Sequence, residues 1–328
     1  MKIVFHGQNA CSFVQGFAGL LSQNHEIIEL PDTLTTEEDR RAYEAADVIV
    51  GVRLAAGMPV PVTLKLYQLP GAGYDGIDLG LVPEGAALCN CFGHEAAIAE
   101  YVMASLLLRH VPLADADKRL RQGDWSYRSG GADALRTELG EQTIGLIGFG
   151  HIGKTIAARA RVFGMKVIVA NRSAPEDTSV FEQHYFLSDL DSFAGEADVI
   201  VNTLPFTPQT AGLVDANVIA AMKPEAILVN VGRGPVIDEK ALYEALSQKR
   251  IGGAIIDTWY VYPDGTNPAP HPSVYPFHEL DNIVMTPHMS GWTHGTVNRR
   301  RQAMADNINR LVSNQPLESV VKREEHGP

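Results

Sequence analysis

The sequence predicts an α/β protein of two doubly wound domains, each built on a parallel sheet. The chain has 328 residues, more than one hydrophobic core usually accommodates. Short apolar runs alternate with helical patterns along the chain, which is typical of parallel sheets. Near the middle, a glycine-rich turn separates a predicted strand from a predicted amphipathic helix. Together these observations favour two domains with the same general architecture.

Composition and charge favour a small metabolite as the ligand. The chain is 45% hydrophobic and carries a formal net charge of −12 at pH 7. That charge repels phosphate backbones and anionic lipid, so neither a nucleic-acid nor a membrane partner is expected. No signal-peptide core or membrane-length apolar run is found, which predicts a cytoplasmic location. Cys11, Cys89 and Cys91 lack metal-ligand spacing, so reduced thiols and no metal site are expected.

The first third of the chain is predicted to form five strands. They are expected at 2–5, 25–30, 47–52, 65–69 and 87–91. A helix after the second strand is expected to begin with a capping box of Thr35 and Glu38. In "PGAGYDGID" (70–78), the N–H groups of Ala72 and Gly73 are placed to bind an anion such as a carboxylate. The alternative is a plain tight turn.

A long helix and a second series of strands follow. The run at 95–109 has no Gly or Pro and is apolar on most faces, which indicates a helix buried between two domains or two subunits. Six more strands are expected at 143–148, 165–171, 198–205, 225–232, 252–257 and 282–288, enough for a complete dinucleotide-binding sheet. A helical pattern after Gly291 is expected to return to the first domain. The predicted domains are therefore 1–98 with 296–328, and 99–295.

The glycine-rich turn has the spacing of a dinucleotide-binding motif. Gly148, Gly150 and Gly153 lie directly between a strand and an amphipathic helix. The first allows the tight turn, the second lets a pyrophosphate approach the backbone, and the third allows close helix–strand packing. The N-terminus of the helix, where His151 and Ile152 lie, faces the phosphates. The complete βαβ context predicts a bound dinucleotide cofactor.

The end of the next strand bears on which cofactor is preferred. The acid that commonly binds the adenosine ribose is missing, and the sequence there is Asn171-Arg172-Ser173. An arginine beside two small polar side chains favours a 2′-phosphate, and so NADP over NAD. The alternative is that Arg172 stacks on the adenine of NAD, with Glu176 or Asp177 folding back to the ribose.

Polar side chains lie at the carboxyl ends of three predicted strands, which are expected to face the cleft between domains. They are Arg233, Asp257 and His288. An arginine between two glycines after a buried strand indicates a site for an anion. A histidine in such a cleft is typical of an acid or base, although a purely structural histidine is the alternative.

These motifs resemble those of the D-isomer-specific 2-hydroxyacid dehydrogenase family, over nearly the whole chain. The matching segments are "PGAGYDGID", "GLIGFGHIGKTIA", "MKPEAILVNVGRGPVIDEKAL" and "TPHMSGWT". The resemblance implies a Rossmann cofactor domain inserted into a flavodoxin-like substrate domain, and a homodimer formed largely through the cofactor domains. It also implies reduction of a small 2-oxo acid, such as glyoxylate or hydroxypyruvate, to the D-2-hydroxy acid.

The resemblance further implies roles for individual residues. The backbone of Ala72 and Gly73 is expected to bind the substrate carboxylate, Arg233 the carboxylate and carbonyl oxygen, and His288 the proton in transfer. Asp257 is expected to lie near the nicotinamide carboxamide and Arg233. The remaining predicted site residues are Ser290 for the substrate, and Leu204, Pro205, Thr207, Thr210, Val231 and Gly232 for the cofactor.

One position departs from the family pattern. Most members continue after the aspartate with Val-Phe-Glu-x-Glu-Pro, whose second glutamate hydrogen-bonds the catalytic histidine. Here Tyr262 takes that place, and Pro263 fixes the alignment. A carboxylate raises the pKa of a neighbouring imidazole, whereas a neutral phenol supplies no charge. His288 is therefore expected to protonate less readily than its counterparts.

Two other functions remain open from the sequence. The formate dehydrogenase branch also lacks that glutamate and has an Asp-Val-Trp-Phe pattern similar to "DTWY", and formate oxidation transfers no hydroxyl proton. Against it, His94 stands where that branch has an asparagine. The second alternative is a binding protein that senses NAD(P), because the family includes transcriptional corepressors with the same fold.

Overall fold

A computed structural model describes residues 1–131, 135–263 and 267–321. The chain forms two compact units, Met1–Gly93 with Thr293–Pro328, and His94–Trp292. Both crossings fall on the residue that precedes a long helix, so each of these helices belongs entirely to one unit. The boundaries predicted at 98 and 295 lie within these helices.

Strands and helices alternate along both units. Within the described residues the strands are β1 Lys2–His6, β2 Glu26–Leu30, β3 Val48–Gly51, β4 Leu66–Gln68, β5 Ala87–Cys89, β6 Thr143–Ile147, β7 Lys166–Asn171, β8 Gln183–Phe186, β9 Val199–Asn202, β10 Ile227–Asn230, β11 Gly253–Ile256 and β12 Ile283–Met285. The helices are α1 Gly7–Cys11, α2 Glu37–Glu44, α3 Glu95–His110, α4 Leu113–Leu120, α5 His151–Val162, α6 Leu190–Glu196, α7 Ala216–Ala221, α8 Glu239–Ser247 and α9 His294–Val312.

The first unit contains a five-stranded parallel sheet in the order β2-β1-β3-β4-β5. This is the flavodoxin-like order. Successive strand residues point to opposite faces, so the sheet has a core on each side. Ile3 and Phe5 of β1 pack with Met304 of α9 on one side, and Val4 packs with Tyr43 of α2 on the other.

The capping box of α2 lies one residue later than predicted. The Asp39 N–H donates to Thr36 Oγ1 at 3.1 Å, and the Thr36 N–H donates to Asp39 Oδ2 at 3.4 Å. Thr36 has the extended backbone that an N-cap requires. The prediction of Thr35 and Glu38 was wrong because "TTEED" offers the same spacing in two adjacent registers.

A buried amide pair holds α9 against the first sheet. Asn307 Nδ2 donates to Gln68 Oε1 at 2.9 Å and to the Glu318 carbonyl at 3.0 Å. Asn307 Oδ1 accepts from the Glu318 N–H at 2.8 Å. Buried polar groups need such partners, so these bonds fix which face of α9 meets the carboxyl end of β4.

The second unit contains a seven-stranded parallel sheet in the order β12-β11-β10-β9-β6-β7-β8. The order reverses between β6 and β9, which is the Rossmann arrangement. The predicted architecture of two doubly wound parallel sheets is confirmed. All six predicted strands of this unit are present, but β8 was missed because it is an edge strand in which only Tyr185 is buried.

The long helix α3 is present as predicted and packs along α5. Val102 and Leu106 of α3 are completely buried in one core with Ile156 and Ala160 of α5. Among the described helices, no single one is long and apolar enough to cross a membrane. Only α3 and α4 taken together, with a 44° bend between them, have sufficient length and apolar composition.

Candidate active site

The glycine-rich turn after β6 has room for a ligand where the motif requires it. Gly148 has φ +94°, and a Cβ there would lie 2.8 Å from Thr203 Oγ1. A Cβ on Gly153 would lie 2.3 Å from the Gly148 carbonyl oxygen. At Gly150, the residue before α5, a Cβ would have no protein atom within 4 Å. This open space at a helix N-terminus fits a dinucleotide pyrophosphate.

The residues after β7 leave a guanidinium exposed. Asn171 Nδ2 donates to the Ser173 carbonyl at 3.1 Å, which closes the turn around Arg172. Asp177 accepts hydrogen bonds from Ser179 Oγ at 2.6 Å and from the Ser179 N–H at 2.9 Å. The hydroxyl bond and then the N–H bond lower the pKa of Asp177. Asp177 is therefore bonded within its own turn, and in the described residues Arg172 forms no ion pair.

The loop after β9 lies beside the glycine turn. The Leu204 N–H donates to Asn202 Oδ1 at 3.1 Å, and a Cβ on Gly148 would lie 2.9 Å from Leu204 Cδ2. Thr210 Oγ1 donates to the Pro205 carbonyl at 2.7 Å and accepts from the Thr207 N–H at 2.8 Å. The hydrogen bonds of Thr210 thus lie within the loop. Of the four loop residues predicted to bind the cofactor, Leu204 is the one that lies against the glycine motif.

Arg233 follows β10 on a segment packed closely against its neighbours. A Cβ on Gly232 would lie 2.5 Å from the Leu204 carbonyl oxygen, and one on Gly234 would lie 2.2 Å from the Trp259 carbonyl oxygen. Both flanking residues must therefore be glycine. The Arg233 carbonyl accepts from Asn230 Nδ2 at 3.1 Å, and its guanidinium donates to the Gly232 carbonyl at 3.0 Å. This packing fixes the backbone from which the guanidinium extends.

Asp257 directly follows β11 and is completely buried. Its carboxylate accepts three hydrogen bonds from the segment after β12. The donors are Thr286 Oγ1 at 2.5 Å, the Met289 N–H at 2.9 Å and the Ser290 N–H at 2.9 Å. These bonds hold the backbone on either side of His288, and the expected contact of Asp257 with the cofactor stays a prediction.

His288 lies on that segment in a strained conformation. Its φ of +59° is in the left-handed region, which a residue with a Cβ adopts only when the surroundings impose it. Its side chain is exposed, and Nδ1 lies 2.9 Å from Tyr262 Oη. The Trp259 N–H donates to the same phenol oxygen at 3.1 Å. Tyr262 thus hydrogen-bonds the imidazole from the position where most members of the family have a glutamate.

Ser290 lies on the same segment and is 5% exposed. Its N–H donates to Asp257 Oδ2 at 2.9 Å. Its expected role in binding the substrate stays a prediction.

In the first unit, the loop after β4 presents two amide groups in one direction. The Gly71 carbonyl accepts from the Cys91 N–H at 3.1 Å, and the Ala72 carbonyl accepts from Asn90 Nδ2 at 2.9 Å. Every described peptide bond is trans, so each N–H points opposite to the carbonyl of its peptide. The N–H groups of Ala72 and Gly73 therefore point away from Asn90 and Cys91, and neither donates a hydrogen bond within the described residues.

These features comprise an open glycine turn, an exposed imidazole with a hydrogen-bonded partner, a fixed guanidinium and a pair of free amides. The protein-family model for the NAD binding domain of D-isomer specific 2-hydroxyacid dehydrogenases matches residues 102–290 of this sequence. The chain belongs to the D-isomer specific 2-hydroxyacid dehydrogenase family.

Individual D-2-hydroxyacid dehydrogenases extend the similarity beyond that domain. The D-3-phosphoglycerate dehydrogenase of Methanocaldococcus jannaschii is 31% identical over 303 residues, which are 90% of this chain but 55% of that protein. This chain thus spans about half of that relative's length. The hydroxypyruvate reductase of Thermotoga maritima is 33% identical over 282 residues, which cover 84% of this chain and 87% of that one.

Solved structures of the family also match in fold. The NADPH-dependent glyoxylate/hydroxypyruvate reductase of Sinorhizobium meliloti, in complex with NADP and malonate, superposes with a TM-score of 0.77 at 26% identity. The match covers 97% of this chain and 96% of that one. The predicted membership in the D-2-hydroxyacid dehydrogenase family is confirmed.

Several polar residues that shape this candidate site were missed from the sequence. Asn202 and Asn230 are the last residues of the adjacent strands β9 and β10, and both are almost fully buried. Asn202 Nδ2 donates to Asn230 Oδ1 at 2.9 Å. Tyr101 Oη lies 2.7 Å from Thr286 Oγ1. Because Thr286 donates its one hydroxyl proton to Asp257, Tyr101 is the donor to Thr286. The available signal was an asparagine ending two apolar strands, "DVIVN" and "AILVN".

Proposed function

We propose that this chain is an NAD(P)H-dependent reductase that converts a small 2-oxo acid, of the glyoxylate or hydroxypyruvate kind, to the D-2-hydroxy acid. The observation that carries the proposal is the arrangement after β10, β11 and β12. These are adjacent parallel strands, so Arg233, Asp257 and His288 follow neighbouring strand ends. The names of the related reductases from Thermotoga maritima and Sinorhizobium meliloti support the same substrate class.

The glycine turn, Leu204 and the residues from Asn171 to Ser173 are the groups proposed to hold the cofactor. When bound, NAD(P)H supplies a hydride to the substrate carbonyl carbon. Arg233 binds the substrate carboxylate and the carbonyl oxygen, since a guanidinium presents its N–H donors in a planar fork. The Ala72 and Gly73 amides are proposed to bind the substrate carboxylate, as the family resemblance implies.

His288 is proposed to donate the proton that the developing alkoxide requires. In the imidazolium both nitrogens carry protons, so Nε2 donates to the substrate while Nδ1 donates to Tyr262 Oη. The phenol can also donate to Nδ1 of the neutral ring, as a carboxylate cannot. The Trp259 N–H holds the phenol oxygen in place for both states.

Asp257 is proposed as a positioning residue for this histidine. The left-handed backbone of His288 costs about 1–2 kcal/mol. Three hydrogen bonds to the buried carboxylate offset that cost and hold the segment in one conformation. The backbone of His288 is therefore held in the conformation that places its imidazole beside Tyr262.

A panel of 2-oxo acids, assayed with NADH and with NADPH, tests the proposed reaction. Glyoxylate, hydroxypyruvate and pyruvate are the first members, and formate with NAD⁺ or NADP⁺ is included for the formate dehydrogenase alternative. We expect turnover of at least one 2-oxo acid at about 1–10³ s⁻¹. Formate oxidation alone would support that alternative, and cofactor binding without any turnover would support the sensing protein.

A preference for NADP is proposed from the exposed Arg172. No carboxylate pairs with this guanidinium in the described residues, and Asp177 is engaged by Ser179. We expect Arg172→Ala to lower kcat/KM for NADPH about 10- to 100-fold and to leave NADH within a few-fold, because a charge-assisted contact to the 2′-phosphate is lost. Arg161→Ala is the matched control. Arg161 lies at the C-terminal end of α5, far from the glycine turn, and forms an ion pair with Glu182. Equal losses with both cofactors would refute the preference.

A homodimer formed through the second unit is also proposed. Large apolar side chains are exposed along the segment from α3 to β6 and at the end of α5. They are Leu108, Leu113, Leu120, Trp125, Leu135, Val162 and Phe163. Tyr127, Leu135 and Phe163 also line a cavity of about 620 Å³. Exposed apolar surface of this kind is typical of protein–protein contacts, and a second copy is the partner that the family resemblance implies.

Sedimentation velocity tests this interface. We expect the native chain to sediment as a dimer and Trp125→Glu to shift it toward monomer, because a charge would be buried without a partner. Val274→Glu is the control, since Val274 is 78% exposed on the same unit but outside that segment. A native monomer, or a dimer unaffected by Trp125→Glu, would contradict the proposed surface.

A further inference from the structure

The loop that presents the Ala72 and Gly73 amides has a cationic side chain against it, on α9 of the same unit. A Cβ on Gly71 would lie 3.7 Å from Arg300 Nη1 and 3.8 Å from both Cζ and Nη2. The flat guanidinium therefore lies over the place that a Cβ of Gly71 would occupy, one residue before the two free amides.

Arg300 lies on the buried face of α9. Thr296 and Met304, one turn before and one turn after it, are completely buried. Arg300 itself is half-buried, and its Nε is inaccessible to solvent. The bonds of Asn307 to Gln68 and Glu318 set the rotation of α9, so the guanidinium is held toward the loop.

The two neighbouring arginines lie against other loops of the first unit. Arg299 Nε donates to the Gly93 carbonyl at 2.8 Å, and Arg301 Nε donates to the Phe13 carbonyl at 2.9 Å. Each therefore closes a loop of the first unit, and neither contacts Gly71. Of the three consecutive arginines, Arg300 is the one beside the free amides.

We propose that Arg300 is a substrate-binding residue, whose guanidinium joins the Ala72 and Gly73 amides in binding the carboxylate of the 2-oxo acid. Two amides on neighbouring residues of one loop and a guanidinium beside that loop can together bind a planar anion with two oxygens. A guanidinium also bonds both oxygens of a carboxylate at once, which a lysine cannot do in the same geometry. The inference rests on the proposed function, because the ligand is the carboxylate of that substrate.

Substitution of Arg300 tests the role through a split between KM and kcat. For Arg300→Met, which keeps length and packing, we expect KM for the best 2-oxo acid to rise about 10- to 100-fold with kcat changed only a few-fold. Arg300→Lys keeps the charge and is expected to recover part of the loss. Arg299→Met and Arg301→Met are the matched controls and should leave KM unchanged. Thermal unfolding of each variant shows that the fold is retained.

Binding of malonate gives a second readout that needs no turnover. Calorimetric titration of the cofactor-loaded protein with malonate should give an affinity about tenfold or more lower for Arg300→Met than for the native chain. Unchanged KM and unchanged malonate affinity in Arg300→Met would overturn the assignment. An equal rise in KM for all three methionine variants would also overturn it. If the native chain reduces no 2-oxo acid but binds malonate through Arg300, the proposed reaction fails while the carboxylate site stands.

Discussion

Replacing His288 with glutamine is expected to lower kcat for 2-oxo acid reduction by about 10²- to 10⁴-fold, the usual contribution of a general acid. Glutamine can occupy the same volume and still bond Tyr262, but it has no proton to release near neutral pH. The cofactor affinity should stay unchanged, since no predicted cofactor contact comes from this side chain. Stopped-flow single turnover, with cofactor binding followed by fluorescence, separates the two effects.

His278→Gln is the matched control for this substitution. It changes an exposed histidine on the same unit and should leave turnover unaffected. KM for the 2-oxo acid should change much less than kcat, because the proton is needed only as the alkoxide forms. Near-normal turnover in His288→Gln would exclude His288 as the proton donor and would favour a reaction that moves hydride alone.

Tyr262→Glu is expected to move the pH dependence of reduction to higher pH, by about 1–3 units. A carboxylate in place of the phenol would lie close to His288 Nδ1, now 2.9 Å from Tyr262 Oη. The opposite charge favours the imidazolium and raises the pKa of His288. Reduction needs the protonated ring, so the rate is high below that pKa and falls as pH rises through it. A raised pKa of His288 therefore moves the fall in rate to higher pH. The pH profile of kcat/KM measures this shift.

Tyr262→Gln is the matched control for this shift. Glutamine has the shape of glutamate without its charge, so the fall in rate should remain near the native pH. Tyr262→Phe removes the hydroxyl and leaves the Trp259 N–H without its acceptor, which should lower kcat modestly at every pH. An unmoved profile in Tyr262→Glu would mean that another group sets the proton affinity of His288.

Much of the site could be predicted because its signals are local. Gly148, Gly150 and Gly153 lie within one turn between a strand and a helix, and the backbone geometry of that turn requires glycine. Tyr262 could be placed opposite the histidine because Pro263 fixed the alignment with the family pattern. The structure has the two in hydrogen-bond contact.

Other features escaped prediction because they depend on contacts between distant segments. The hydrogen-bond partners of Asp257 are Thr286, Met289 and Ser290, from the segment after the next strand, and no local pattern indicates them. Edge strand β8 has no apolar run because one side of an edge strand faces solvent. The capping box of α2 had two equivalent registers, and only the backbone conformation chose between them.

The sequence by itself determined the two parallel sheets, the dinucleotide turn and the family, because these follow from the period of apolar residues and from glycines required within a single turn. Only the tertiary structure decided which polar groups meet. It placed Asp257 beneath His288, Asn90 behind Ala72, and Arg300 over Gly71. Each of these contacts joins segments brought together by the packing of strands and helices, and no local pattern records which side chain will lie at the meeting point.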